Sequence, residues 1–512
     1  MKHMSVLILS SLLLTACGTT HYRSDHSQSG QQNSRYLSTM SASFFSPPPS
    51  RERYAAIQEN EHKYTTDQPI STFSIDVDTA AYANVRRFIT RGSLPPIDAV
   101  RTEELVNYFN YHYPIPERAS QPFHIATEIG PAPWNSGSYL LHIGLKAYEP
   151  RLDERPAKNL VFLIDVSGSM QSENKLELLK KSLRLLVKQL TVQDRVAIVV
   201  YAGASGVVLE STAGHQHGKI LKALRRLKAG GSTNGGEGIQ RAYALARENF
   251  IEGGINRVLL ATDGDFNVGV SNIGALKRII SEEKRHGIQL TALGFGKGNY
   301  NDHLMESLSN SGDGNAAYID TLKEAQKVLV HDLNSTMQTV AHDTKIQIEF
   351  NPNVVSSYRL IGYENRMLKQ DDFKDDRVDA GDVGAGHSVT AIYEIRLTEK
   401  RRYSVEAPED ELFEDEVAFL KLRYKRPNEN HSQELKHAIN KNTIKTALAA
   451  TSTNYRFSAA VAAFGQLLRQ STYTSNYSYN EALKLAQNSR GADEFGYRSE
   501  FIQLVDLAED LN

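Results

Sequence analysis

A single cysteine in 512 residues, Cys17, excludes any disulfide within the chain. Neither sign of charge is in excess. With 58 Lys and Arg against 60 Asp and Glu, the formal net charge is -2, so no broad field gathers nucleic acid or other polyanions. A phosphate-cradling loop of the form GxxxxGK is missing, and no Ser-His-Asp arrangement can be assembled with conviction. The 16 histidines are scattered, and "HQHG" at 215–218 has no partners at metal spacing, which argues against zinc chemistry. No repeat of 20 to 50 residues is evident either. Long apolar runs are also scarce. The amino-terminal one, Val6 to Leu14, is too short to cross a bilayer core of about 30 Å, for which roughly 20 residues are needed.

That short run follows Lys2 and His3 and meets "LTACG" at 14–18, the layout of a signal peptide. "LTAC" resembles the lipobox of bacterial lipoproteins. The resemblance implies that residues 1–16 are removed and that Cys17 becomes the acylated first residue. Gly18 stands where an aspartate would imply inner-membrane retention, which points to the outer membrane. The stretch 17–67 is rich in Ser, Gln, Asn and Thr, contains "SPPPS" at 46–50, and has no sustained apolar period, so it is expected to be a disordered tether.

Four further segments follow. Residues 68–156 carry "STFSIDVDTAAYANVRRFI" at 71–89, an alternating start followed by a helical pattern with Ala83, Val85, Phe88 and Ile89, then a second helical pattern over 101–114 and a strand in "YLLHIGLKA" at 139–147, which suggests a small α+β accessory module. Over 157–340, strands and helices alternate. "NLVFLIDV", "RVAIVVYAG", "RVLLATDG" and "IQLTALGFG" are continuous apolar runs, the signature of strands covered on both faces. A doubly wound, mostly parallel, Rossmann-like sheet is expected there, with its ligand site at the carboxyl ends of the strands. Residues 341–430 switch to period-two strands and suggest a β-sandwich-like module. From 431 to 512, "SQELKHAINKNTIKTALAA", "FSAAVAAFGQLLRQ" and "SEFIQLVDLAEDLN" suggest a helical region. The fold class is α/β, with these accessory parts around the central sheet.

The chemistry concentrates where predicted strands end. "FLIDVSGSM" at 162–170 places Asp165, Ser167 and Ser169 as alternate oxygen-bearing residues leaving a strand, and Gly168 permits a tight turn between the serines. A hard cation such as Mg²⁺ takes oxygen ligands in near-octahedral geometry, and three oxygens turned toward one point suit it. "GGSTNGGEGI" at 230–239 adds Thr233, and "LLATDGD" at 259–265 adds Asp263. The alternative for the first stretch alone is a strand-to-helix turn in which serine caps the helix.

These five residues, in this order, resemble the metal-ion-dependent adhesion site of von Willebrand factor type A (VWA) domains. The resemblance implies that Ser167, Ser169 and Thr233 ligate a divalent ion directly or nearly so, and that Asp165 and Asp263 act partly through water. Mg²⁺ is implied, with Mn²⁺ or Ca²⁺ as alternatives. One coordination position is left for an acidic side chain of a protein partner. The flanks "STFSIDVDTAAYANVRRF" and "LPPIDAVRTEELVNYF", with the helical tail, resemble bacterial lipoproteins of the YfbK type. The expectation is a lipid-anchored envelope protein that binds a partner through its metal and is not an enzyme. A metal-dependent hydrolase and a scaffold with a purely structural metal remain the alternatives. "SIDVDTA" at 74–80 also resembles the aspartate motif of haloacid-dehalogenase phosphatases, but its threonine is one position early; Asp76 and Asp78 are read as loop or capping residues.

Overall fold

In a computed structural model the described residues are 54–151, 154–232, 235–264, 273–297, 301–398, 415–427, 429 and 431–512. The expected signal segment, Cys17, most of the expected tether and Thr233 lie outside them. All described residues belong to one unit, Ser50–Asn512. No helix among them is long and apolar enough to cross a membrane.

The chain begins with β1 (Lys63–Tyr64), β2 (Ile70–Ser74), α1 (Ala80–Ile89), α2 (Thr102–Asn107), β3 (Phe123–Pro131) and β4 (Tyr139–Ala147). The central part is β5 (Lys158–Asp165), α3 (Leu178–Val187), β6 (Arg195–Tyr201), β7 (Ser205–Ala213), α4 (His217–Arg226), α5 (Gly235–Glu248), β8 (Ile255–Thr262), α6 (Ile273–Arg285), β9 (Ile288–Phe295), α7 (Asp302–Ser311), β10 (Ala316–Ile319), α8 (Leu322–Gln326) and α9 (Leu333–Met337). It is followed by β11 (Thr339–Phe350), β12 (Val355–Ile361), β13 (Gly381–Gly384), β14 (Ser388–Leu397), β15 (Glu416–Lys425), β16 (Ser432–Asn440), α10 (Thr453–Leu468), α11 (Tyr479–Asn488) and α12 (Tyr497–Leu511).

The central sheet has the order β10-β9-β8-β5-β6-β7, parallel except for the edge strand β7. Its apolar runs are continuous because successive side chains point to opposite faces and both faces are covered. Leu160, Phe162 and Ile164 of β5 pack with Leu179, Leu183 and Leu186 of α3. Val161 and Leu163 pack on the other side with Ile239, Ala242 and Tyr243 of α5. Burying each such Leu, Ile or Phe stabilises the domain by about 1.5–3 kcal/mol.

Around this domain the two flanking segments interleave. β1, β12, β14, β4 and β3 make one five-stranded sheet, and a second contains β13, β11, β15 and β16, with β2 pairing to β11. The two share one core in which Phe73 and Leu141 from the amino-terminal segment meet Ile346, Tyr393 and Leu420. Residues 68–156 therefore have no sheet of their own: β2, β3 and β4 complete the sandwich built by 339–440. Part of the expected tether is also held in place. Lys63 and Tyr64 pair with β12, and the Asn60 side chain donates to the carbonyls of Leu360 and Gly362.

One helical expectation is overturned. "SQELKHAIN" forms the antiparallel strand β16, bonded along its length to β15. Leu435, Ala438 and Ile439 have the spacing of a helix face, but Leu435, His437 and Ile439 equally fit one face of a strand, and the unpaired edge of β15 decides between them. The true helical tail, α10 to α12, packs on α1 and α2 around Phe109, Phe457, Phe464 and Phe501. The expected helix over 101–114 is only Thr102–Asn107.

The paired aspartates of "SIDVD" serve this assembly. Asp78 accepts a hydrogen bond from the Ala316 N–H at the start of β10, and Asp76 accepts from the Asp78 N–H and from Arg366. They join the amino-terminal segment to the central sheet and to the sandwich.

Candidate metal centre

β5 and β8 are neighbours, with Ile164 opposite Ala261, so Asp165 and the pair Thr262–Asp263 emerge side by side at the carboxyl edge. The chain runs from β5 to β6 on one side and returns through β8 on the other. β5 and β8 thus flank the topological switch point, where a crevice opens in sheets of this kind.

Asp165 is fully buried, and its neighbours hold it from two sides. The Ser167 N–H donates to Oδ1 at 2.8 Å and the Thr262 hydroxyl to Oδ2 at 3.1 Å. Burial, with the nearby Asp263 charge acting in the same direction, pushes its carboxyl up to about 6, although hydrogen bonds from Ser167 and Thr262 oppose the shift. The hydroxyls of Ser167 and Ser169 are 3.0 Å apart; Ser167 is buried and Ser169 is exposed. Hence one end of the constellation is enclosed and the other faces solvent.

The glycine-rich stretch of Thr233 is tied to the same turn. The Gly168 N–H donates to the Gly231 carbonyl at 3.0 Å, and the Gly230 N–H to the Val166 carbonyl at 2.7 Å. Gly231 has φ +85°, a left-handed conformation that favours glycine at this crossing. Thr233 itself is outside the described residues. Of the other four predicted ligands, Asp165, Ser167 and Ser169 share one hydrogen-bonded turn, and Asp263 lies on the adjoining strand end.

Asp263 is fully buried, and its Oδ2 accepts from Lys175 Nζ at 2.8 Å. Lys175 belongs to a wide i→i+5 turn, Glu173–Glu177, that leads into α3, and it is itself buried. Sequence reading missed this residue because a lysine in an amphipathic stretch reads as solvated. Thr262 was missed as well, being one of several small residues in "LLATDG".

Among the described residues one other group of donors comes together: Asp313, His342 and Asp382. His342 Nδ1 is 2.9 Å from Asp382 and 3.9 Å from Asp313, and Lys284 pairs with Asp313. Asp313 precedes β10, at the amino edge of the parallel strands, so this cluster stands apart from the strand-end site. It is an ion-pair junction between the central domain and the sandwich.

Comparison with known proteins agrees with this architecture. The family described as "von Willebrand factor type A domain" matches residues 159–332, the one described as "von Willebrand factor" matches 48–142, and "Uncharacterized protein YfbK, C-terminal" matches 335–511. YfbK of Escherichia coli (strain K12) is 45% identical over 477 residues, covering 90% of this chain and 82% of that protein. The chain belongs to the YfbK family. Other proteins are similar over shorter stretches. The Synechocystis protein sll0103 is 30% identical over 187 residues, covering 36% of this chain and 43% of that one. Human inter-alpha-trypsin inhibitor heavy chain H3 is 24% identical over 266 residues, covering 48% and 29%. In this YfbK-family chain the VWA domain is framed by the interleaved sandwich and the helical tail.

Proposed function

We propose that the protein is a lipid-anchored component of the bacterial envelope, held in the outer membrane through Cys17. Its VWA domain holds a divalent cation and binds an acidic side chain of a protein partner there. The observation that carries this reading is the gathering of Asp165, Ser167, Ser169 and Asp263 at one strand-end edge, with the carboxylates buried and Ser169 open to solvent.

The donor set fits the ion. Its predicted ligands offer oxygen alone, as Mg²⁺ requires, with Mn²⁺ and Ca²⁺ as substitutes. Asp165 takes its hydrogen bonds from neutral groups, so a cation would offset its buried charge. Asp165 and Asp263 would supply charge, and Ser167, Ser169 and Thr233 neutral oxygens. When bound, the ion supplies an electrophilic position for a partner's carboxylate, and exposed Ser169 marks the side from which the partner approaches. The reading is a binding module rather than an enzyme. Among the described residues, the hydrogen bonds of Asp165, Ser167 and Ser169 go to backbone and hydroxyl groups, not to an imidazole or a further carboxylate suited to act as general base.

The test is capture from envelope extracts on the immobilised mature chain. Partner protein should be retained in Mg²⁺, released by EDTA, and not retained by Asp165→Ala; equal capture in all three conditions would dispose of the reading. Anchoring has its own arm, in which Cys17→Ser should no longer incorporate labelled fatty acid.

A further inference from the structure

Lys175 occupies its position by construction. A Cβ on Gly296 would lie 2.3 Å from Lys175 Cε and 2.5 Å from its Cγ, so the lysine stem fills the space that a side chain at residue 296 would take. Gly296 also has φ +85°, and the Tyr318 hydroxyl donates to its carbonyl, which fixes the turn after β9 against the lysine. Gly296, in the turn after β9, thus forms the floor of a lysine channel. At the end of the channel the ammonium, with a side chain 8% exposed, meets an Asp263 carboxylate that is 0% exposed.

We infer that Lys175 is a tethered cation that neutralises Asp263 when no divalent ion is present and weakens the site's affinity for divalent ions. The inference rests on the metal-site reading above. Asp165 and Asp263 together bring two negative charges, and Lys175 cancels one of them. Affinity for hard cations rises with the charge of the ligand set, so a site with net charge of one unit binds more weakly than the same site with two. The ammonium also repels an incoming divalent ion at short range in a poorly solvated pocket, where such repulsion is strong. Orientation acts the other way. Lys175 holds Oδ2 and so helps to orient the Asp263 carboxylate. A misplaced hydrogen bond of this kind costs less than a full charge contact, so removal of the charge decides the sign. The lysine thereby sets the ion concentration at which the site loads.

The experiment compares the full mature parent chain, Lys175→Met and Lys175→Gln by calorimetric titration with Mg²⁺ and Mn²⁺, and by thermal unfolding in EDTA and in Mg²⁺. Lys175→Met keeps the apolar stem and Lys175→Gln keeps a neutral donor. Both should bind Mg²⁺ about tenfold or more tightly than the parent. Both should also unfold at lower temperature in EDTA, where buried Asp263 loses the counter-charge of Lys175, and recover more than the parent does on adding Mg²⁺. Binding by the variants with none detectable in the parent would support the inference in its strongest form. Parent-like or weaker affinity in whichever variant folds would overturn it while leaving the metal site standing. Absence of binding in the parent and both variants would overturn the metal site, and this inference with it.

Discussion

Arg86→Met is expected to lower unfolding stability by about 3–5 kcal/mol, the cost of breaking a buried ion network from one side. Arg86 lies on α1 with its side chain 4% exposed, and it joins three parts of the molecule. Its guanidinium pairs with Asp320 and with Glu324 of α8 in the VWA domain, the latter at 2.8 Å, and with Glu500 of α12 at 2.8 Å. It also donates to the Tyr108 hydroxyl just past α2 at 3.1 Å. Methionine keeps the apolar contacts of the stem but leaves Glu324, 1% exposed, without its main counter-charge. Denaturant unfolding of residues 17–512, followed by circular dichroism, measures the loss. A change under about 1 kcal/mol would mean that this network behaves like an exposed pair and does not tie the flanking helices to the VWA domain.

The second large effect is on the ion. Asp165→Ala should abolish measurable Mg²⁺ binding, and Ser167→Ala should weaken it less, because the first removes a charge that offsets the cation and the second only a neutral oxygen. The fold should survive. Asp165 is held at a strand tip by hydrogen bonds, among them those from the Ser167 N–H and the Thr262 hydroxyl, each worth about 1 kcal/mol. Opposing that loss, its buried carboxylate carries a desolvation penalty, which is why its pKa rises to about 6. For such a raised carboxylate, stability at neutral pH is reduced by the charge and restored below the folded pKa. Removing the group should therefore leave stability in EDTA near parental at pH 7 and remove the fall that the parent shows as pH rises through about 6. The shift in unfolding temperature on adding Mg²⁺, expected for the parent, should be absent in Asp165→Ala.

What could be read from the chain alone follows from physical range. The strands of the central sheet were legible because burial on both faces writes a continuous apolar run, as in Leu160 to Ile164. Asp165, Ser167 and Ser169 were legible because a strand end and a period of two place them locally. The interleaving of β2, β3 and β4 with β11 to β16 depends on pairings some 200 residues or more apart, such as Phe73 with Ile346, which no local pattern records. β16 was misread because its nine residues satisfy both periods and only the edge of β15 selects one. Lys175 was invisible for a related reason. Its burial depends on Gly296 and Asp263, both distant in sequence, and nothing near residue 175 marks it as different from the solvated lysines of the following helix.

The most direct measurement is calorimetric titration of Mg²⁺ into residues 17–512 of the parent chain, repeated with Mn²⁺ and with Asp165→Ala as the control. The account predicts saturable binding of one ion per chain in the parent and none in the variant, with circular dichroism the same for both. Failure of the parent and of both Lys175 variants to bind either metal at millimolar concentration, or binding by Asp165→Ala equal to that of the parent, would contradict it and leave the strand-end constellation as a turn closed by its own hydrogen bonds and the Lys175–Asp263 pair.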